Sequence, residues 1–85
     1  NPISGTSLAV LRWWAGDELS GKIQLEIYNL KGQKVLSKYL GEVYPGEGNF
    51  LLSSDQNFRA LPSGIYFLKL QLGKRKLTKK MTILY

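Results

Sequence analysis

Neither cysteine nor histidine occurs anywhere in this chain. The first absence removes any disulfide framework and any thiolate metal site, while leaving the redox compartment open. The second removes both the commonest metal ligand and the commonest general base. Acidic residues are scarce as well. Asp17, Glu18, Glu26, Glu42, Glu47 and Asp55 are the only six, and they are scattered over turns and solvent-facing positions. Glycoside or metal chemistry would need carboxylates gathered into pairs or clusters. Gly46-Glu47-Gly48 has neither the following helix nor the Lys-Ser/Thr of a phosphate loop. The chain is therefore expected to be no enzyme and to hold no metal or cofactor. Long apolar runs are missing too: no stretch approaches the ~20 residues a spanning helix needs. The first residues lack the basic and apolar regions of a signal peptide. No membrane insertion is expected.

Basic residues, glycines and a strong period of two are what the chain does have. Twelve Lys and Arg against six acids give a net charge of +6 over 85 residues, enough to attract an acidic partner without choosing one. The length suits one small domain covering residues 1–85, with a core that leaves it marginally stable. Turn residues interrupt the alternation about every ten residues, the pattern of an all-β sandwich. In Lys22 to Leu30, Ile23, Leu25 and Ile27 point one way and Lys22, Gln24 and Glu26 the other, as in a strand with one buried face. Earlier, Ser7 to Trp14 reads as a first strand. At the end of that strand, Asn29-Leu30-Lys31-Gly32-Gln33 is a tight connection, with Gly32 free to adopt positive φ and Asn29 able to bond nearby backbone.

Gln33 to Leu40 forms the return strand, and Tyr44-Pro45-Gly46 fits a type II turn. Asn49 to Ser53 is a short strand and Ser54 to Asn57 a loop, after which Phe58 and Leu61 plug an end of the sandwich. Pro62-Ser63-Gly64 then leads into a hairpin split by Gly73-Lys74. Gly64 is expected to need a backbone conformation closed to other residues. Tyr66, Leu68, Leu70 and Leu72 share one face, and Leu77, Met81 and Ile83 share one face of the partner strand, with Lys79 at its rim or in a bulge. This hairpin carries Lys69, Lys74, Arg75, Lys76, Lys79 and Lys80, half of the basic residues. A hydrophobic, β-prone end at Tyr85 is expected to be tied into a sheet or read by a partner.

Two constellations suggest binding. Trp13 and Trp14 are adjacent, so in a strand they face opposite sides, and the outer one is a possible ligand platform for a sugar. The basic run from Lys69 to Lys80 has no interleaved exposed aromatics and precedes no groove-reading helix, so no nucleic-acid partner is expected. Lysines on an edge strand also deter sheet-to-sheet association.

Four segments together resemble a family, the type A C-terminal sorting domains of type IX secretion in Bacteroidetes, often called Por secretion domains. Asn1-Pro2 resembles the end of the family's opening Tyr-Pro-Asn-Pro. Ile23 to Lys34 resembles its strand and Gly-Arg/Lys turn, and Leu61 to Leu70 its Leu-x-x-Gly-Ile/Val-Tyr-Phe/Ile strand. Lys79-Lys80-Met81-Thr82-Ile83 resembles its closing motif. The resemblance implies an immunoglobulin-like antiparallel β-sandwich of about seven strands. It also implies a non-catalytic signal that directs a covalently linked upstream cargo through the periplasm and across the outer membrane, to the cell surface or the medium. Its implied partners are the type IX translocon and a surface sortase-like peptidase. Asn29, Gly32, Gly64, Ile65 and Tyr66 would be structural motif residues, and Lys79, Lys80, Met81, Thr82 and Ile83 candidates for translocon recognition. Asn1-Pro2, with no initiator methionine, suits a fragment of a larger exported protein. A different class, a carbohydrate-binding or fibronectin-like accessory module of an exported enzyme, would use Trp13 or Trp14 instead.

Overall fold

The alternation between Lys22 and Asn29 sets the architecture, because a strand with Ile23, Leu25 and Ile27 on one face must be covered on that face and paired on both edges. The computed structural model of the protein describes the backbone of residues 2–4 and all of residues 9–84. Its strands are β1 (Pro2–Ser4), β2 (Val10–Ala15), β3 (Lys22–Asn29), β4 (Lys34–Glu42), β5 (Gly46–Leu51), β6 (Gly64–Leu72) and β7 (Arg75–Leu84). A 3-10 turn at Leu52–Ser54 and a single helical turn, α1 (Gln56–Arg59), join β5 to β6. The strands form a five-stranded sheet in the order β1-β7-β6-β3-β4 and a two-stranded sheet, β2-β5. Every pairing is antiparallel except that of β1 with β7. The fold is the all-β, sandwich-like arrangement that the sequence pattern implies.

Between the sheets lies a core made from the predicted faces. Ile23, Leu25 and Ile27 stand directly opposite Leu72, Leu70 and Leu68, and all six are buried. Leu36 extends the row onto β4, and Met81 and Ile83 extend it onto β7. From the small sheet Ala15 is fully buried, while Leu11, Trp13 and Phe50 pack against the cluster from its margin. Phe58 and Leu61 are buried, as expected of plugs. No polar or charged residue is buried among the described residues, so the core holds together by apolar burial with no charge to desolvate.

Turn chemistry agrees with the sequence at most positions. Asn29 accepts hydrogen bonds through its side-chain oxygen from the N–H groups of Lys31 and Gln33, both at 3.0 Å, and Gly32 takes a φ of 81°. Gly73 turns β6 into β7 with a φ of 60°, and a Cβ there would run into the Ser20 carbonyl. Gly64 corrects an expectation. It has no positive φ, and a Cβ on it would meet the Tyr66 ring at 3.7 Å, an ordinary contact. The segment is instead fixed by Tyr66, buried and donating from its hydroxyl to the Pro62 carbonyl at 2.7 Å.

Three further differences have physical causes. Ser54 to Asn57 is not simple loop. The Asp55 carboxylate accepts from the N–H groups of Asn57 and Phe58 at 2.8 and 3.0 Å, capping a helix too short to show a helical period. Leu77 has the core parity but remains 38% exposed, because the two strands of the small sheet leave the first part of β7 uncovered. Lys79 sits at that uncovered rim in a continuous register with β6, without a bulge. The parallel strand β1 is the third. Pro2, Ile3 and Ser4 lie beside Thr82, Ile83 and Leu84, where no preceding alternation announced a strand. Asn1, Tyr85 and the start of the expected first strand at Ser7 and Leu8 lie outside the described residues.

Three predictions follow from these contacts. Ile27→Ala and Leu70→Ala each remove a buried side chain from the central pairing and are expected to cost about 2 to 5 kcal/mol, read as a lower denaturant midpoint at unchanged m. Gly73→Ala introduces a Cβ at a left-handed, crowded position and is expected to destabilise by more than about 1 kcal/mol, whereas Gly64→Ala stays within about 1 kcal/mol of wild type. Thermal melts of the pair check the contrast.

The third prediction concerns acid. Burial opposes ionisation of Asp55, but the Lys38 ammonium at 3.1 Å and the N–H groups of Phe58 and Asn57 outweigh it and hold the carboxyl below its ordinary value. A depressed folded-state pKa stabilises fully above the unfolded-state value of about 4 and ceases to do so as pH falls through the lower folded value. Asp55→Asn keeps the cap acceptor and removes the charge. The melting-temperature gap between wild type and this variant is therefore expected at neutral pH and should close as pH drops below about 4. A gap independent of pH contradicts it.

Candidate interaction surface

The last strand is held from one side. From Arg75 to Ile83, β7 pairs with β6 without a register shift, Leu72 lying opposite Arg75 and Gly64 opposite Ile83. On its other side β1 reaches only Thr82, Ile83 and Leu84. From Arg75 to Lys80 the outer edge of β7 therefore meets no described strand, and all six residues are exposed. Directly opposed residues share a face of the sheet. Arg75, Leu77 and Lys79, opposite Leu72, Leu70 and Leu68, lie on the core side beyond the cover of the small sheet. Lys76, Thr78 and Lys80, opposite Gln71, Lys69 and Phe67, lie on the outer side.

Charge gathers on this edge with little to neutralise it. Among the described residues the ion pairs are Lys34 with Glu26 at 2.8 Å and Lys38 with Asp55 at 3.1 Å, and neither involves a cation of β7. Glu26 stands across β6 from the cluster, opposite Lys69, but its carboxylate is already engaged. A hydrogen bond from Lys34 is the main cause that holds it below the ordinary carboxylate range, burial opposes this, and the Tyr28 hydroxyl adds a second hydrogen bond. Lys74, Arg75, Lys76, Lys79 and Lys80 thus form an exposed basic strip beside a half-exposed Leu77.

The structure divides the five residues of the closing motif. Lys79 and Lys80 are exposed on opposite faces, whereas Met81 and Ile83 are buried opposite Tyr66 and Gly64, and Thr82 is half-buried between Ile65 and Pro2. Two of the five can offer side chains to a partner, and two anchor the strand that presents them. The internal motif residues converge at one end of the large sheet, where Asn29 is paired with Tyr66 and Gly32 closes the adjoining turn. Ile65 is half-buried beside them. Leu77 and Thr78 were not singled out by sequence reasoning as surface residues. The available signal was that cations occupy both parities between Arg75 and Lys80, which no strand with a buried face tolerates.

The two tryptophans face opposite ways. Trp13 is half-buried, with its ring lying over Gly48 and against the core. Trp14 is 69% exposed on the outside of the small sheet, opposite Glu47, in a row with Arg12 opposite Asn49 and Val10 opposite Leu51. This surface lies on the other sheet from the basic edge.

No curated protein matches the chain. The model of the secretion system C-terminal sorting domain family matches residues 16–84, a span that takes in β3 to β7, the Asn29–Gly32 turn, the Gly64–Tyr66 segment and the basic edge. Over that span the chain belongs to the secretion system C-terminal sorting domain family, the C-terminal sorting signals of type IX secretion.

Proposed function

We propose that the translocon reads this sorting signal at the exposed cations of β7, with Lys79 and Lys80 at the centre of the contact. The observation that carries the reading is the basic strip from Lys74 to Lys80, exposed and without an acid among the described ion pairs. Transient recognition of many cargoes suits a modest surface better than a deep pocket. Met81 and Ile83 act through the fold, by seating β7 so that Lys79 and Lys80 project. In this reading residues 1–85 form a single non-catalytic domain, joined to an upstream cargo that passes the periplasm, crosses the outer membrane and reaches the cell surface or the medium. A surface peptidase of the sortase-like kind then separates domain from cargo.

Fusing residues 1–85 behind an inert reporter with a periplasmic signal peptide tests this in a type IX secreting host. The wild-type fusion is expected outside the outer membrane. Lys79→Ala with Lys80→Ala removes two exposed charge contacts worth up to about 1 kcal/mol each, together up to roughly thirtyfold in affinity, and should leave much of the reporter in the periplasm while circular dichroism stays native. Deleting the whole end of β7 is a poorer test, since it takes Met81 and Ile83 from the core. Unchanged export by the double variant contradicts the proposed site. Tight binding of the domain to an insoluble polysaccharide, lost in Trp14→Ala, would favour the accessory-module reading instead.

A further inference from the structure

We propose that the open edge of β7 accepts an extended acidic peptide segment as an added β-strand, so that the sorting domain is recognised by backbone pairing as well as by charge. This rests on the reading of β7 as the recognised strand and adds the chemistry of its partner. The backbone supplies the first argument. In a strand paired on one side only, every second residue turns its N–H and C=O away from the sheet, and from Arg75 to Lys80 no described strand meets these groups. The segment contains no proline or glycine and no register shift, so it is a regular template about 20 Å long. Added strands bind such edges through main-chain hydrogen bonds and take their specificity from the side chains on either face.

Those side chains select the occupant. Four of the six, Arg75, Lys76, Lys79 and Lys80, are cationic, and they fall on both faces of the sheet. A second copy of this edge would place cations against cations, which disfavours pairing with itself. An acidic strand has the complementary charge on both faces at once. The middle of the segment is different: Leu77 offers an apolar contact on the core side and Thr78 a small β-branched one on the outer side. Read antiparallel to β7, the partner is therefore two acidic residues, a small β-former, an aliphatic residue and two more acidic residues. β1 bounds the site at Thr82, so the partner stops there.

The test uses the isotope-labelled 85-residue chain and the synthetic peptide Ser-Glu-Glu-Thr-Val-Glu-Glu-Ser at low salt. Amide shifts are expected to concentrate on residues 75–81. Two further peptides carry backbone N-methyl groups on alternate residues, one on the odd and one on the even positions. Because only one edge of an added strand faces β7, one methylated peptide should bind like the parent and the other at least about tenfold more weakly. Lys76→Glu with Lys79→Glu should abolish binding of the parent while leaving the rest of the spectrum folded. Equal binding by the two methylated peptides means electrostatic attraction without strand pairing, and it overturns the proposal. So does the absence of binding at about 1 mM peptide, or shifts spread over Lys34 and Lys38. If peptides fail in these ways while export of the reporter fusion still depends on Lys79 and Lys80, only the added strand falls. If export is independent of those lysines, the sorting site falls whatever the peptides do.

Discussion

Pairing between β3 and β6 is the contact on which the remaining structure depends. It joins segments about 45 residues apart in sequence at the centre of the large sheet, and on its inner face it sets Ile23, Leu25 and Ile27 against Leu72, Leu70 and Leu68. β4 adds to one side through Leu36, and β7 adds to the other through Met81 and Ile83. The small sheet has little to cover except this row, and Ala15, Leu11, Trp13 and Phe50 are the residues with which it does so. Even the turn between β6 and β7 reports the same pairing: Gly73 donates to the Lys22 carbonyl and lies against Ser20, so the hairpin is bolted to the start of β3.

An uneven division follows from that centre. Two strands cannot cover a face five strands wide, and among the described residues the first half of β7 is left bare. A bare apolar strand at that position would invite aggregation. Cations on both faces remove the hazard, and the same cations give the strand an electrostatic identity that no other part of the molecule has. In the proposed reading, stability and recognition fall to successive parts of one element. Near the end of β7, Met81 and Ile83 are buried and β1 flanks the strand, whereas its beginning meets β6 alone among the described strands. That arrangement suits the proposed reading, in which a folded support presents one accessible feature.

Local signals carried most of this in the sequence, and the failures share a cause. Ile23, Leu25 and Ile27 declared their face by strict alternation. Asn29 with Gly32, and Gly73 with Lys74, declared turns by residue type, because only short polar side chains and glycine serve those positions cheaply. The motif residues Asn29, Gly32, Gly64, Ile65 and Tyr66 carried part of the resemblance to the family, and the structure adds that they lie at one end of the sheet. What was not legible depends on partners distant in the chain. Leu77 follows the core parity, but its exposure is decided by how far the small sheet reaches. Asp55 owes its ion pair, though not its cap, to Lys38 on β4. Pro2 to Ser4 is a strand only because the end of β7 is there to receive it. Gly64 stood beside a turn without needing glycine's freedom, since the Tyr66 hydroxyl fixes the segment through Pro62.

Native-state hydrogen exchange along β7 measures the central claim, that from Arg75 to Lys80 this strand is supported by β6 on one side and meets no described strand on the other. Amides of Thr82 and Ile83, flanked by both β6 and β1, should be protected on both sides of the strand. Between Arg75 and Lys80 protection should alternate, with slow exchange for N–H groups bonded to β6 and near-unstructured rates for those between them. Uniform protection from residue 75 to residue 84 would mean that the edge is covered, and uniform loss would mean that β7 does not pair there. Either result contradicts the account.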